Sequence, residues 1–184
     1  MTGPGSGFTK LSERTIHEGH VIALAVGTFA GPDGDRFERE IVHHPGAVAV
    51  VPLLDGGRTV ILVRQYRSAL DDLLLELPAG KLDVPGEALE AAAARELEEE
   101  IGYRAGHLEQ IAQLWNSPGF CDEQGTIFLA TDLSPSASSA QGVEEAAMTI
   151  ETVPFSEALA MVADGRIQDA KTMIGLLMAR DRLA

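Results

Sequence analysis

The sequence predicts an α/β sandwich, a mixed sheet between helices, with a strand-rich N-terminal extension. Three observations predict it. Two near-continuous apolar runs, Gly46 to Leu54 (GAVAVVPLL) and Thr59 to Arg67 (TVILVRQYR), read as central strands covered on both faces. One long helical pattern, Glu87 to Ile101, stops at Gly102, the residue type best suited to a left-handed helix end. Two further helical stretches close the chain, Ser156 to Ala163 and Asp169 to Arg182. With 184 residues, 45% of them apolar, the chain can bury a core of this kind, and wholesale disorder is excluded.

The elements follow in order. Met1 to Ser6 is rich in Gly, Pro and Ser and lacks the apolar stretch of a signal peptide. Ser12 to Ala30 carries β-branched and alternating stretches that read as strands. Gly31-Pro32-Asp33-Gly34-Asp35 is a hairpin turn, because proline fixes φ and glycine supplies a positive one. A strand over Phe37 to His43 follows, and Asp55-Gly56-Gly57 joins the two central strands. Leu73 to Leu77 is a short strand ending at Pro78-Ala79-Gly80. Past the long helix come strands over Leu108 to Leu114 and Gln124 to Ala130, then a Ser/Ala-rich loop over Ser134 to Gly142. Met148 to Val153 is the last strand, and Ser156 and Gly165 cap and close the helix after it. There is no internal repeat. Residues 1–42 form an extension suited to packing on a partner subunit, and residues 43–184 form the main domain.

Charge narrows the partners. Twenty-eight acids against 14 bases give a net charge of −14. That balance argues against nucleic acid, whose phosphates need a basic face, and against an anionic membrane surface. His43 to Leu54, the longest apolar-leaning run without Asp, Glu, Lys or Arg, is far too short for a membrane span. A single cysteine, Cys121, makes no internal disulfide and reads as an ordinary thiol, so a cytoplasmic protein is expected. A phosphate-bearing substrate stays compatible with this acidity if a cation lies between it and the protein.

The acids are not evenly spread. Glu87 to Glu100 holds six acids and one base. At 100° per residue Glu96, Glu99 and Glu100 share one arc, and Glu98 points elsewhere. Like charges one turn apart repel, and near a helix C-terminus the macrodipole disfavours them further. A hard divalent cation would offset both costs, since Mg²⁺ is held by a few carboxylates together with phosphate oxygens. Arg95 can clamp a neighbouring carboxylate. The plain alternative is a solvated acidic helix face.

The spacing Gly80-(six residues)-Glu87-(seven residues)-Arg95-Glu96-Leu97-Glu98-Glu99-Glu100-Ile101-Gly102-Tyr103 resembles the signature of Nudix hydrolases. The family pattern has five residues between the first Gly and the first Glu, so the Val84-Pro85-Gly86 turn carries one extra. More of the chain is similar to the ADP-ribose pyrophosphatase branch: the segment from Phe37 to Val50, Arg64-Gln65-Tyr66-Arg67, Glu76 to Asp83, Pro118 sixteen residues past Gly102, and Glu144-Glu145-Ala146-Ala147-Met148. The resemblance implies a Nudix-type α/β/α sandwich and a set of roles. Glu96, Glu99, Glu100 and the Ala79 carbonyl would hold Mg²⁺, with Mn²⁺ as the alternative ion. Arg95 and Glu87 would orient these carboxylates. Glu145, or Glu144 beside it, would be the base that activates water, with Glu99 and Arg95 supporting catalysis. Arg39, Arg67, Glu76, Pro118 and Phe120 would meet the substrate.

As bare residues, Arg39 and Arg67 also read as surface arginines at strand ends. Glu76 likewise reads as the cap of a strand edge and Phe120 as core, while Glu144 and Glu145 read as exposed loop acids. Trp115, His107, Met173 and Met178 read as structural. The expected activity is metal-dependent hydrolysis of ADP-ribose to AMP and ribose 5-phosphate by a homodimer. The alternatives are another nucleoside diphosphate sugar, an oxidised nucleotide, or a non-catalytic nucleotide-binding domain.

Overall fold

Residues 7–138, 144 and 146–183 are described by the computed structural model, and they divide into two compact units. One unit ends at Gly46 and takes in Trp115–Gln124. The other spans Ala47–Leu114 and the chain from Gly125 onward.

The first unit is an antiparallel sheet of β1 (Thr9–Glu18), β2 (Ala23–Ala30) and β3 (Arg36–His43), in that order. The proline–glycine turn behaves as its residues require. Gly34 takes φ 86°, and the Gly31 N–H donates to the Asp35 carbonyl at 2.9 Å, which registers Ala30 against Arg36. Phe29 stacks on Phe37 at 5.5 Å across the hairpin, and Phe8 meets Phe37 edge-on at 6.1 Å. β1 is exposed along its whole length. Residues 117–122 fold against β3. Phe120 N–H and Cys121 N–H both donate to the Ser117 carbonyl, and Val42 and Phe120 share a backbone bond of 2.7 Å.

The second unit holds the predicted sandwich. Its strands are β4 (Ala47–Leu54), β5 (Thr59–Arg67), β6 (Asp72–Glu76), β7 (Ala79–Lys81), β8 (Tyr103–Arg104), β9 (His107–Trp115), β10 (Gln124–Thr131), β11 (Ser134–Pro135) and β12 (Thr149–Pro154). Its helices are α1 (Leu89–Ile101), α2 (Phe155–Ala163) and α3 (Ala170–Leu183). The sheet path is β12-β5-β4-β10-β9, with β10 parallel to β4 and β12 antiparallel to β5. Alternation along the central strands sorts the core onto two faces. Ala49, Val51, Leu53, Val60 and Leu62 pack with Phe155, Ala158, Leu176 and Ala179 of α2 and α3. Val48, Val50, Ile61 and Val63 pack with Ala92, Ala93, Leu97 and Ile101 of α1. Two central strands buried on both sides are why their sequences read as unbroken apolar runs.

The two central strands pair directly only at Leu53–Val60 and Leu54–Thr59, beside the Asp55–Gly57 turn. Beyond that they splay, and the segment from Asp72 to Lys81 fills the gap. β6 pairs with β5 from Glu76–Val63 to Asp72–Arg67, and β7 pairs with β4 from Ala79–Ala49 to Lys81–Ala47. Pro78 sits at the crossing, where its carbonyl accepts from the Val50 N–H at 2.9 Å and its lack of an N–H costs nothing.

Several local expectations change. The strand ending at Leu77 resumes at once as β7. α1 begins at Leu89 without a side-chain cap. α2 begins at Phe155 behind Pro154, also without one, so Ser156 lies within the first turn and caps nothing. Asp169 does cap α3, accepting from the Thr172 N–H at 2.9 Å. Within the expected 134–142 loop, Ser134 and Pro135 pair with Arg104 and Tyr103, and residues 139–143 lie outside the described residues. Met173 and Met178 pack against the core, whereas Trp115 and His107 are exposed. Among the described residues no helix is long and apolar enough to cross a membrane.

Candidate active site

α1 ends where its sequence says it should. Gly102 adopts φ 69°, and its N–H donates to the Glu98 carbonyl at 3.0 Å. The last two turns before it carry the acids. Glu98 faces away from the others, taking Arg104 on both oxygens (2.9 and 2.7 Å) and the Ser136 hydroxyl at 2.5 Å. These partners push its carboxyl down to about 2.

Arg95 organises the remaining acids. Its Nε and Nη2 donate to the two Glu87 oxygens at 3.1 and 3.0 Å, and its Nη1 donates to Glu96 at 2.7 Å and to Glu99 at 3.1 Å. Asp83 stands 3.8 Å away. The Glu87 hydrogen bond is the largest influence on this guanidinium, which is held well above its ordinary pKa; Glu87 is correspondingly lowered. One arginine thus fixes three carboxylates, as expected from the bidentate geometry of its fork.

Glu96 and Glu100 are the buried pair, at 8% and 5% exposure. Both meet β7. The Ala79 N–H donates to Glu100 Oε2 at 3.0 Å, so the residue expected to lend its carbonyl lies beside one of the expected carboxylates. Gly80 lies under Glu96, where an added Cβ would stand 1.8 Å from the carboxyl carbon. Glycine is required at this approach for space, since a methyl group would occupy the place of the carboxylate.

This donor set fits a hard divalent ion in part. Two buried carboxylates one turn apart, next to a strand backbone, offer the oxygens that Mg²⁺ or Mn²⁺ prefers. Glu99 is turned to Arg95, and among the described residues no group of three or more His, Cys, Asp or Glu is gathered to hold an ion. The chain therefore supplies few ligands, and water and substrate phosphates would complete the shell, as is usual for Mg²⁺.

A second cluster lies at the Glu76 end of β6. Glu76 is fully buried and accepts both Nε and Nη2 of Arg67, at 2.7 and 2.6 Å. Lys171 pairs with the same carboxylate from α3. Burial alone would raise the Glu76 carboxyl; the two cations outweigh it and hold the group below its usual range. Lys171 also lies 3.0 Å from Asp169, whose other oxygen accepts the Thr172 hydroxyl at 2.6 Å. That hydroxyl in turn accepts the Leu77 N–H at 2.8 Å. Arg67 is close enough to Glu100 to feel its charge. Sequence reasoning missed Lys171, Asp169 and Thr172. The available signal was Asp169 at a helix start with a polar residue three positions later, a capping pattern.

The other predicted residues are placed as follows. Glu144 is exposed, and its charge contributes to raising the Tyr66 phenol, after the hydrogen bond to Asp71 and desolvation. Glu145 lies outside the described residues. Arg39, Pro118 and Phe120 belong to the first unit. Arg39 is exposed on β3, with its guanidinium 4.7 Å from the Phe37 ring centre. Phe120 is 58% exposed and so is not a core residue, and Pro118 is exposed in the turn before it.

Residues 43–174 match the family model described as the NUDIX domain. The chain belongs to the Nudix family. Its Nudix domain contains both clusters of the second unit, and hydrolases of this family generally use divalent metal ions. The chain is 41% identical over 162 residues to an ADP-ribose pyrophosphatase of Bacillus subtilis, covering 88% of this chain and 86% of that one. It is 39% identical over 170 residues to an ADP-ribose pyrophosphatase of Mycobacterium tuberculosis, covering 92% and 82%. Its fold is similar to the crystal structure of an ADP compounds hydrolase, with TM-score 0.82, 24% identity, and 96% and 94% of the two chains covered.

Proposed function

We propose that this Nudix protein hydrolyses the pyrophosphate bond of ADP-ribose to AMP and ribose 5-phosphate, using Mg²⁺ or Mn²⁺. The observation that carries the reading is the convergence of Glu96 and Glu100 on Ala79 and Gly80, with Arg95 holding Glu87, Glu96 and Glu99 around it. The names of the two relatives support the substrate.

A diphosphate resists attack because its oxygens are anionic, so the site must supply positive charge, a deprotonated water and fixed geometry. Glu96, Glu100 and the Ala79 carbonyl would hold the divalent ion, with Glu99 supporting. Bound there, the ion would neutralise diphosphate charge and ease ionisation of water. The protein residues do the rest. Arg95 locks the carboxylates in place, because three partners on one rigid fork leave them little rotamer freedom. Arg67 meets the anionic substrate from the β5 end; the resemblance assigns substrate contacts to Arg39, Pro118 and Phe120 as well. The base is Glu145 or Glu144. It takes one proton from water as the water oxygen bonds to phosphorus; the bridging P–O bond breaks, and two monophosphates leave. A base outside the helix suits a site completed only when substrate is bound. We also assign the protein to the cytoplasm, consistent with its single thiol.

The experiment is direct. Incubation with ADP-ribose and Mg²⁺ releases AMP, and EDTA abolishes the release; no AMP above the EDTA control overturns the reading. GDP-mannose and an oxidised nucleotide in the same assay report on the alternative substrates, and ADP-ribose is expected to give the highest kcat/KM.

A further inference from the structure

Glu76 is a fully buried carboxylate that the mechanism above does not consume. A buried charge persists only when paired and hydrogen-bonded, and this one is paired twice. Arg67 reaches it from β5 with two nitrogens, and Lys171 reaches it from α3. The third guanidinium nitrogen of Arg67, Nη1, has no hydrogen-bond partner among the described residues, and the side chain is 39% exposed. The arginine is therefore gripped from behind with one donor edge left over, and it lies near Glu100.

The grip is anchored by the first turn of α3. Asp169 caps the helix through the Thr172 N–H and holds Lys171 at 3.0 Å, so the ammonium is fixed between two carboxylates. Thr172, itself fully buried, holds the Leu77 N–H. Glu76 and Leu77 directly precede Pro78, Ala79 and Gly80, the segment on which Glu96 and Glu100 converge. α3 thus ties both the arginine and the approach to the metal-binding acids.

We propose that Lys171, supported by Asp169 and Thr172, is a positioning residue. Through Glu76 it fixes the Arg67 guanidinium so that its remaining donor edge meets a phosphate of the substrate. The proposal rests on the diphosphate reading above. Without the Lys171 cation, Glu76 keeps only one counter-ion. Water then enters to solvate it, and the fork of Arg67 loses its single orientation.

The test is a double-mutant cycle read by two measurements. Lys171→Met raises KM for ADP-ribose about tenfold or more with kcat within about threefold, as expected for loss of one charge-assisted substrate contact. Lys171→Arg restores KM to within about threefold. In an Arg67→Ala background, Lys171→Met raises KM no further, because the residue acts through Arg67. Independently of turnover, the Arg67 Nε–H gives a protected signal in a ¹⁵N–¹H spectrum of wild type and loses that protection in Lys171→Met. If Lys171→Met does not fold, Lys171→Gln, which keeps a donor and loses the charge, takes its place. An unchanged KM, a KM effect that persists without Arg67, or an unchanged Arg67 signal overturns the proposal. Absence of ADP-ribose turnover in wild type overturns the functional reading instead, and the spectrum still reports whether Lys171 orders Arg67.

Discussion

At the scale of single residues, Gly80 separates stability from function most sharply. The three atoms nearest its imagined Cβ all belong to the Glu96 carboxylate, the far end of a flexible side chain. Gly80→Ala therefore leaves the backbone intact and displaces the carboxylate. Overpacking of this kind costs about 1–3 kcal/mol, so the variant folds with a melting temperature lowered by roughly 10 °C or less. Its metal-dependent turnover falls by about a hundredfold, the upper range for disturbing metal-site geometry. Thermal melting and AMP release on one preparation check both halves; near-normal turnover removes Glu96 from the site. The acids on α1 were legible because helical period and charge are both properties of sequence. What Arg95 holds was only half legible. Its reach to Glu87, eight residues back, depends on how the chain enters α1. Lys171 was hidden altogether. Its partner Glu76 is 95 residues away, and no local pattern encodes that distance.

At the scale of elements, the first unit is fastened by one histidine. His43 Nδ1 lies 2.5 Å from Asp122, and Nε2 lies 3.0 Å from Glu13 on β1; Asp122 also accepts the His44 N–H at 2.9 Å. The imidazole so joins β1, β3 and the turn that carries Pro118 and Phe120. The Asp122 hydrogen bond is the largest cause raising His43 above its ordinary 6.5. A raised histidine contributes stability that is complete below 6.5 and lost as pH climbs through the higher folded value. Against the cost of burial, the His43 and His44 contacts lower Asp122 from 3.8, and Glu13 is lowered from 4.5 first by Lys10 and then by His43. Their share is complete above about 4.5 and lost as pH falls through the lower folded values. The fastening is strongest between about pH 4.5 and 6.5. Melting curves across pH show wild type exceeding His43→Gln most in that window, with the gap narrowing at pH 8 and above; a gap independent of pH removes the histidine from this role. Strand positions were readable from alternation and turn chemistry, but this clamp was not. The splay of β4 from β5 escaped too, because alternation reports which face a residue takes and not which strand lies beside it.

At the scale of the whole molecule, the predicted sandwich is present because two strands buried on both faces need helices on both faces, and the chain supplies them on either side of that pair. The N-terminal sheet follows a different logic. β1 is an edge strand of ten residues, exposed throughout, and it carries Leu11 and Ile16 at 46% and 47% exposure, with Phe8 just ahead at 55%. The other eight residues of β1 are polar or charged, so Phe8, Leu11 and Ile16 are the exposed apolar side chains that a neighbouring surface would cover. The homodimer expected from the resemblance would cover them with a second copy of this chain. Light scattering then gives roughly twice the 19.5 kDa chain mass. Leu11→Lys with Ile16→Lys places charge at two of these apolar positions, where desolvating an unpaired ammonium opposes association. That double variant runs as a monomer with its α-helical signal unchanged, since every described helix belongs to the other unit. A wild type of single-chain mass, or a double variant that stays dimeric, removes β1 from the interface.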